Sequence, residues 1–226
     1  LLSALKERQN KQPPNKVASS AYERVIFTKG MKKEYTILVP QMSPIHFEFL
    51  EPAFHSCGYN IAILPNPSRS AVDTGLRFVN NDACYPSLIV VGQLMEALAS
   101  GRYDKNKVAL MITQTGGGCR ATNYISFIRR ALEKAGYPQI PVISLSVSGI
   151  EKNPGFTFSP NLIFRAMQAI VYGDVFMRVV YRTRPYEAVE GSVNRLHRKW
   201  VAICKKSVTN GNFKEFRKNL KGIITE

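Results

Sequence analysis

Cysteine is scarce in this 226-residue chain: there are four, Cys57, Cys84, Cys119 and Cys204, and no two stand in a CxxC spacing. That pattern excludes a zinc ribbon, a thioredoxin-type motif and a disulfide framework. Long apolar runs are missing as well. None approaches the roughly 18–20 residues that cross a bilayer, so no membrane span is expected. Neither Gly-Lys-Ser/Thr nor GxGxxG occurs, which removes the Walker phosphate loop and the dinucleotide fingerprint. The three histidines, His46, His55 and His197, show no HxxxH spacing. Asp82 and Asp104 lack a paired carboxylate, so no glycosidase-type site can be built from them. No Ser/His/Asp arrangement stands out. The start, Leu1-Leu2-Ser3-Ala4-Leu5-Lys6-Glu7-Arg8, has no initiator Met and no basic-then-apolar leader. The expectation is a segment of a longer, cytoplasmic protein.

Acidic residues are also few, 16 against 31 Lys and Arg, for a net charge of +15. The excess is uneven. Residues 1–35 hold eight Lys/Arg and three acids, residues 36–181 twelve and nine, and residues 182–226 eleven and four. The centre is nearly balanced and the flanks are basic. Basic flanks suit an acidic protein, an anionic ligand such as coenzyme A, or nucleic acid. No RNA- or DNA-binding motif accompanies the charge, so nucleic acid is the weaker reading. Another reading is an acidic face on the remainder of the parent protein.

What is present is an alternation of periods. Residues 1–34 are polar and basic, with Pro13-Pro14 and Ser19-Ser20, and read as an arm or linker. Short β-branched and aromatic runs predict strands at 35–39, 59–64, 107–113 and 140–146. Apolar residues at helical spacing predict helices at 45–56, 71–79, 86–99, 120–135 and 160–181. Gly173-Asp174 interrupts the last of these. Residues 182–226 read as a loop followed by two helices, near 192–207 and 212–220. The order predicts an α/β domain over 35–181, with a parallel sheet flanked by helices and a helical C-terminal extension. Such sheets bind ligands beyond the carboxyl ends of their strands.

Two of the cysteines fall where a loop turns into a helix. Cys84 lies in Asn81-Asp82-Ala83-Cys84-Tyr85-Pro86, and Cys119 in Gln114-Thr115-Gly116-Gly117-Gly118-Cys119-Arg120. A helix start carries partial positive charge and free N–H groups, so it favours thiolate over thiol. Gly116, Gly117 and Gly118 lack Cβ atoms, which lets the backbone approach a ligand closely. Arg120 would offset the charge of a bound anion or cluster. The competing reading is a tight strand–helix turn holding a small buried cysteine. Cys57 ends a predicted helix, where a thiolate is disfavoured, and reads as packing. Cys204 lies in an apolar helical stripe and reads the same way. Arg184-Pro185-Tyr186-Glu187 reads either as an anion-binding turn buttressed by Glu187 or as a charged interhelical turn. Thiolate ligation without CxxC leans toward an iron–sulfur cluster over zinc.

Taken together, Asn81-Asp82-Ala83-Cys84-Tyr85-Pro86, then Gln114 to Arg120 with Tyr124, then Arg184-Pro185-Tyr186-Glu187, resemble the 2-hydroxyacyl-CoA dehydratase component family. The nearer branch is that of the activator-related proteins, the CoA-substrate-specific enzyme activases. The resemblance runs from about residue 35 to 220. It implies flavodoxin-like domains whose separate loops hold an iron–sulfur cluster, most often 4Fe-4S, with Cys84 and Cys119 at ligand positions. It also implies a further ligand from a following domain, and an ATP-dependent activator or a CoA-substrate dehydratase as partner. The functional expectation is an electron-transfer or reductive-activation module. The alternatives are a non-catalytic basic binding module and a thiol-redox protein, the latter requiring Cys84 and Cys119 within disulfide reach.

Overall fold

The computed structural model describes residues 24–80, 82–114, 123–146 and 151–226. A short helix α1 (Met31–Glu34) leads into strand β1 (Thr36–Val39). Helix α2 (Pro44–His55) and strand β2 (Ile61–Ile63) follow. Two helices, α3 (Arg69–Phe78) and α4 (Tyr85–Ala99), lead to strand β3 (Val108–Thr113). Helix α5 (Tyr124–Lys134), strand β4 (Val142–Leu145) and the long helix α6 (Pro160–Thr183) come next. Helices α7 (Ser192–Asn210) and α8 (Phe213–Thr225) complete the chain. The strands form one sheet in the order β2-β1-β3-β4, and every pair is parallel. This is an α/β fold of the flavodoxin-like type with a helical C-terminal region: the alternation predicts the parallel sheet and the helical region, and the flavodoxin-like type is what the resemblance implies.

The parallel strands are apolar on both faces, as a sheet covered twice must be. Leu38, Leu110, Ile112 and Val142 pack with Leu88, Val91, Leu94 and Leu98 of α4 and with Ile125, Ile128 and Leu132 of α5. On the opposite face, Ile37, Val39, Ala109, Met111 and Ile143 meet Phe54 of α2 and Leu162 of α6. Helix α3 lies tightly on α4. A Cβ on Gly92 would fall 1.7 Å from the Ala71 carbonyl oxygen, so only glycine permits this approach. A third core lies outside the second face. There Phe49 and Ala53 of α2 and Tyr172 and Phe176 of α6 meet Val201, Cys204 and Val208 of α7 and Phe216 and Ile223 of α8. The basic C-terminal region is therefore a second helical layer on α2 and α6.

Two expectations need adjustment. Gly173-Asp174 does not interrupt α6, which runs unbroken through both residues. The reason is packing: a Cβ on Gly173 would come within 2.3 Å of the His46 ring, so this glycine admits α2 against α6. Of the segment read as an arm, residues 24–34 pack onto the body. Phe27 is fully buried in the second core, its carbonyl accepts from Gly155 N at 2.8 Å, and Arg24 reaches Glu151. Residues 1–23 lie outside the described residues. Among the described residues, predicted boundaries move by at most five residues. The largest shift is at the end of α8, which continues to Thr225.

Candidate functional site

The sheet order sets where a ligand crevice belongs. From β1 the chain passes to α2 on one face, and from β3 to α5 on the other. The carboxyl ends of the neighbouring strands β1 and β3 are therefore the point where the connections switch face. The β1 loop is fastened. The buried Gln93 side chain of α4 accepts from Gln41 N at 3.0 Å and donates to Gln41 O at 3.3 Å. The β3 end is fastened by Gln114 N donating to Leu145 O at 2.9 Å, and the Ser144 hydroxyl donates to Gln114 Oε1.

Cys84 is the N-cap residue of α4, in extended conformation at φ −65° and ψ 147°, with Pro86 in the first turn. Proline is favoured there because its missing N–H has no intrahelical partner to lose. The thiol is half-buried. Its Sγ lies 3.2 Å from the hydroxyl of Tyr124, the first residue of α5 and itself buried. That hydroxyl is the main reason the Cys84 pKa falls below its ordinary value of 9.0. Burial opposes it, and the hydrogen bonds around Ser87 assist. Ser87 N and Oγ both donate to Cys84 O, at 2.9 and 2.6 Å, which holds the first turn of α4. The Tyr124 hydroxyl and the helix start therefore favour ionisation of this thiol relative to a free cysteine.

Cys119, Gly116, Gly117, Gly118 and Arg120 lie outside the described residues, so Cys84 is the one sequence-predicted site residue described. The other two described cysteines are not gathered with it. Cys57 is half-buried at the end of α2 against the second core. Cys204 is fully buried in the third core, and burial pushes its pKa from 9.0 up to about 12. Both fit their reading as packing residues. Among the described residues no group of three or more His, Cys, Asp and Glu side chains is placed to hold a metal ion. Nor is any described helix long and apolar enough to cross a membrane. The Arg184–Tyr186 turn resolves as a cap. The Glu187 carboxylate accepts from Gly191 N at 2.8 Å and Val193 N at 3.0 Å, at the start of α7, and these bonds lower its pKa.

One cluster escaped the sequence reading. Ser43 Oγ lies 2.8 Å from His46 Nδ1, and His46 Nε2 lies 2.9 Å from Asp174 Oδ1. The Ser-x-x-His spacing at the start of α2 is visible in the sequence, but Asp174 lies 128 residues away from His46. The order of groups is that of a hydrolase relay. Here Nδ1 faces the serine, and Ser43 lines neither of the neighbouring cavities. One of these, of about 390 Å³, is bordered by Gln41, Glu48 and Lys205. The other, of about 520 Å³, is bordered by Leu64, Gln93 and Arg102. The cluster ties the β1 loop to α6. Comparison with known proteins finds no matching family model, no matching curated protein and no matching solved structure.

Proposed function

We propose that this chain is an iron–sulfur electron-transfer or reductive-activation module, related to the 2-hydroxyacyl-CoA dehydratase components and their activators. One observation carries the reading: Cys84 Sγ is 3.2 Å from the Tyr124 hydroxyl. These two residues belong to separate motifs of the resemblance, 40 residues apart, and the fold brings them into contact. The flavodoxin-like strand order agrees with it.

The described donors fit one ligand position of such a cluster. Cys84 supplies a thiolate stabilised by a hydroxyl donor, at a helix start. Cys119, five residues before Tyr124 in sequence, is the second ligand in this reading, and a further domain supplies the remainder. A cluster held there would supply one-electron transfer at low potential. The chain's own residues have distinct tasks. Cys84 binds, and Tyr124 donates to its sulfur, withdrawing electron density and orienting it. Gly116, Gly117 and Gly118 permit close backbone approach, and Arg120 offsets negative charge. The partners are an ATP-dependent activator or a CoA-substrate dehydratase, and the remainder of the parent protein.

Purification of the protein at its natural length without oxygen, followed by iron and sulfide analysis and EPR, tests this. The expected result is a cluster signal that disappears in Cys84→Ser and in Cys119→Ser, and shifts in potential in Tyr124→Phe. Anaerobically reconstituted protein without iron overturns the reading. So does iron content indifferent to both serine variants.

A further inference from the structure

Ser43 occupies the N-cap position of α2, with Pro44, Ile45 and His46 as the first three helical residues. A serine there ordinarily accepts from the N–H of the second or third of these. Ser43 makes no such bond. Its Oγ lies instead 2.8 Å from His46 Nδ1, and His46 Nε2 lies 2.9 Å from Asp174 Oδ1. The chemistry of the three groups assigns their roles. A carboxylate only accepts, so Asp174 takes the Nε2 proton and fixes the tautomer. Nδ1 is then the acceptor, and the Ser43 hydroxyl donates to it. Packing holds the ring in place. A Cβ on Gly173 would fall 2.3 Å from His46 Cδ2, so the bare backbone of α6 lets the imidazole lie beside Asp174.

The surroundings of Ser43 suit a nucleophile. It is half-buried on the connection from β1 to α2, at the carboxyl edge of a central strand. A serine between strand and helix is the layout that presents a reactive hydroxyl at the top of an α/β sheet. Gln41 Oε1 accepts from Ser43 N at 3.2 Å, and Gln41 is itself held by the buried Gln93. The N–H groups of Ile45 and His46 have no intrahelical acceptor and no side-chain cap. A helix start with free N–H groups is where a developing oxyanion is stabilised. A cavity of about 390 Å³ begins at Gln41 and Pro44, on either side of the serine in the chain, and Glu48, Asn66 and Lys205 give it a polar wall.

We infer that Ser43 is a nucleophile toward small carboxylic esters with a polar alcohol part, with His46 as its general base and Asp174 as the residue that positions the histidine. Ser43 Oγ bonds to the ester carbonyl carbon, and its proton passes to His46 Nδ1. The bond from that carbon to the alcohol oxygen then breaks, and His46 returns the proton to the departing oxygen. Water repeats the sequence on the acyl-serine. Its oxygen bonds to the carbonyl carbon, His46 takes its proton, and that proton goes to Ser43 Oγ as the carboxylic acid leaves. No cluster takes part in these steps, so their failure leaves the electron-transfer reading standing.

A fluorophosphonate probe on the full chain, followed by peptide mass spectrometry, tests the assignment, with p-nitrophenyl acetate as the ester. Ser43 should carry the phosphonate, and Ser43→Ala should lose both that label and the steady release of p-nitrophenol. His46→Gln should slow labelling at least about a hundredfold. Asp174→Asn should slow it by about tenfold or less, because the carboxylate is 63 % exposed and screened by water. Circular dichroism checks that each variant is folded, and the label on the unaltered chain needs no variant. A chain whose Ser43 stays unlabelled overturns the inference, and so does labelling indifferent to His46→Gln. Turnover of the ester that persists in Ser43→Ala overturns the assignment of the nucleophile.

Discussion

Cys84 and Cys204 each lie beside a tyrosine hydroxyl, and the two thiols are driven in opposite directions. At Cys84 the Tyr124 hydroxyl prevails and the pKa falls. At Cys204 the Tyr172 hydroxyl also acts to lower the pKa, yet burial outweighs it and the value rises to about 12. The difference is solvation. Cys84 is half-buried at a helix start, where free N–H groups help an anion. Cys204 is fully buried in mid-helix between α2, α6 and α8, and the Tyr172 hydroxyl already serves Ser207 and Asn219. A cysteine–tyrosine contact therefore does not by itself make a reactive thiol. Position in the fold decides whether the charged form is tolerated.

The widest separation between the two thiols should appear in alkylation. At pH 8 in the folded chain, with Cys119 replaced by serine, iodoacetamide should label Cys84 at least roughly a thousand times faster than Cys204, because the thiolate fraction of a group at about 12 is minute. Peptide mass spectrometry reads both rates at once. Equal rates would abolish the distinction. Tyr124→Phe should slow Cys84 at neutral pH by raising its pKa, and leave Cys204 unchanged.

Stability should separate them next. Cys204→Ser places a hydroxyl in the third core and is expected to cost about 1–3 kcal/mol in urea unfolding. Cys84→Ser should cost less than about 0.5 kcal/mol, since its side chain reaches solvent. A smaller effect is the response to alkali. The Cys204 pKa is raised on folding, so the native state holds a proton that the unfolded chain releases above pH 9. The stability it contributes is complete below pH 9 and declines toward pH 12, by up to about 1.4 kcal/mol per pH unit. Tyr172, raised from 10.0 to about 12, adds in the same direction from pH 10 upward. Cys84 has the opposite sign. Its lowered pKa contributes stability above pH 9 that is lost as pH falls through the folded value. Cys204→Ala should flatten the alkaline decline, whereas Cys84→Ala should not; the reverse result would mean the burial argument has been assigned to the wrong thiol.

Much of the fold was legible because it rests on local pattern. Val108 to Thr113 is a β-branched and apolar run, and Pro86 marks a helix start with Cys84 before it. Glycine was less legible. Gly173 in isolation reads as a helix breaker, and only the His46 ring packed against it explains why α6 continues. The Ser43–His46–Asp174 cluster was invisible for a related reason, because its acid comes from an element far away in sequence. Glu187 shows the intermediate case: its partners lie four to six residues ahead, yet whether it caps a helix or pairs with a cation depends on where α7 begins.

The sequence by itself determined the alternation of strands and helices, the parallel sheet, and the placement of Cys84 at a helix start, since each follows from hydrophobic period and from turn chemistry within a few residues. The tertiary structure decided which thiol is helped toward ionisation and which is held as a core atom. That depends on the Tyr124 hydroxyl from one distant segment and on the loss of water around Cys204 from three others, and neither is a property of the residues adjacent in the chain.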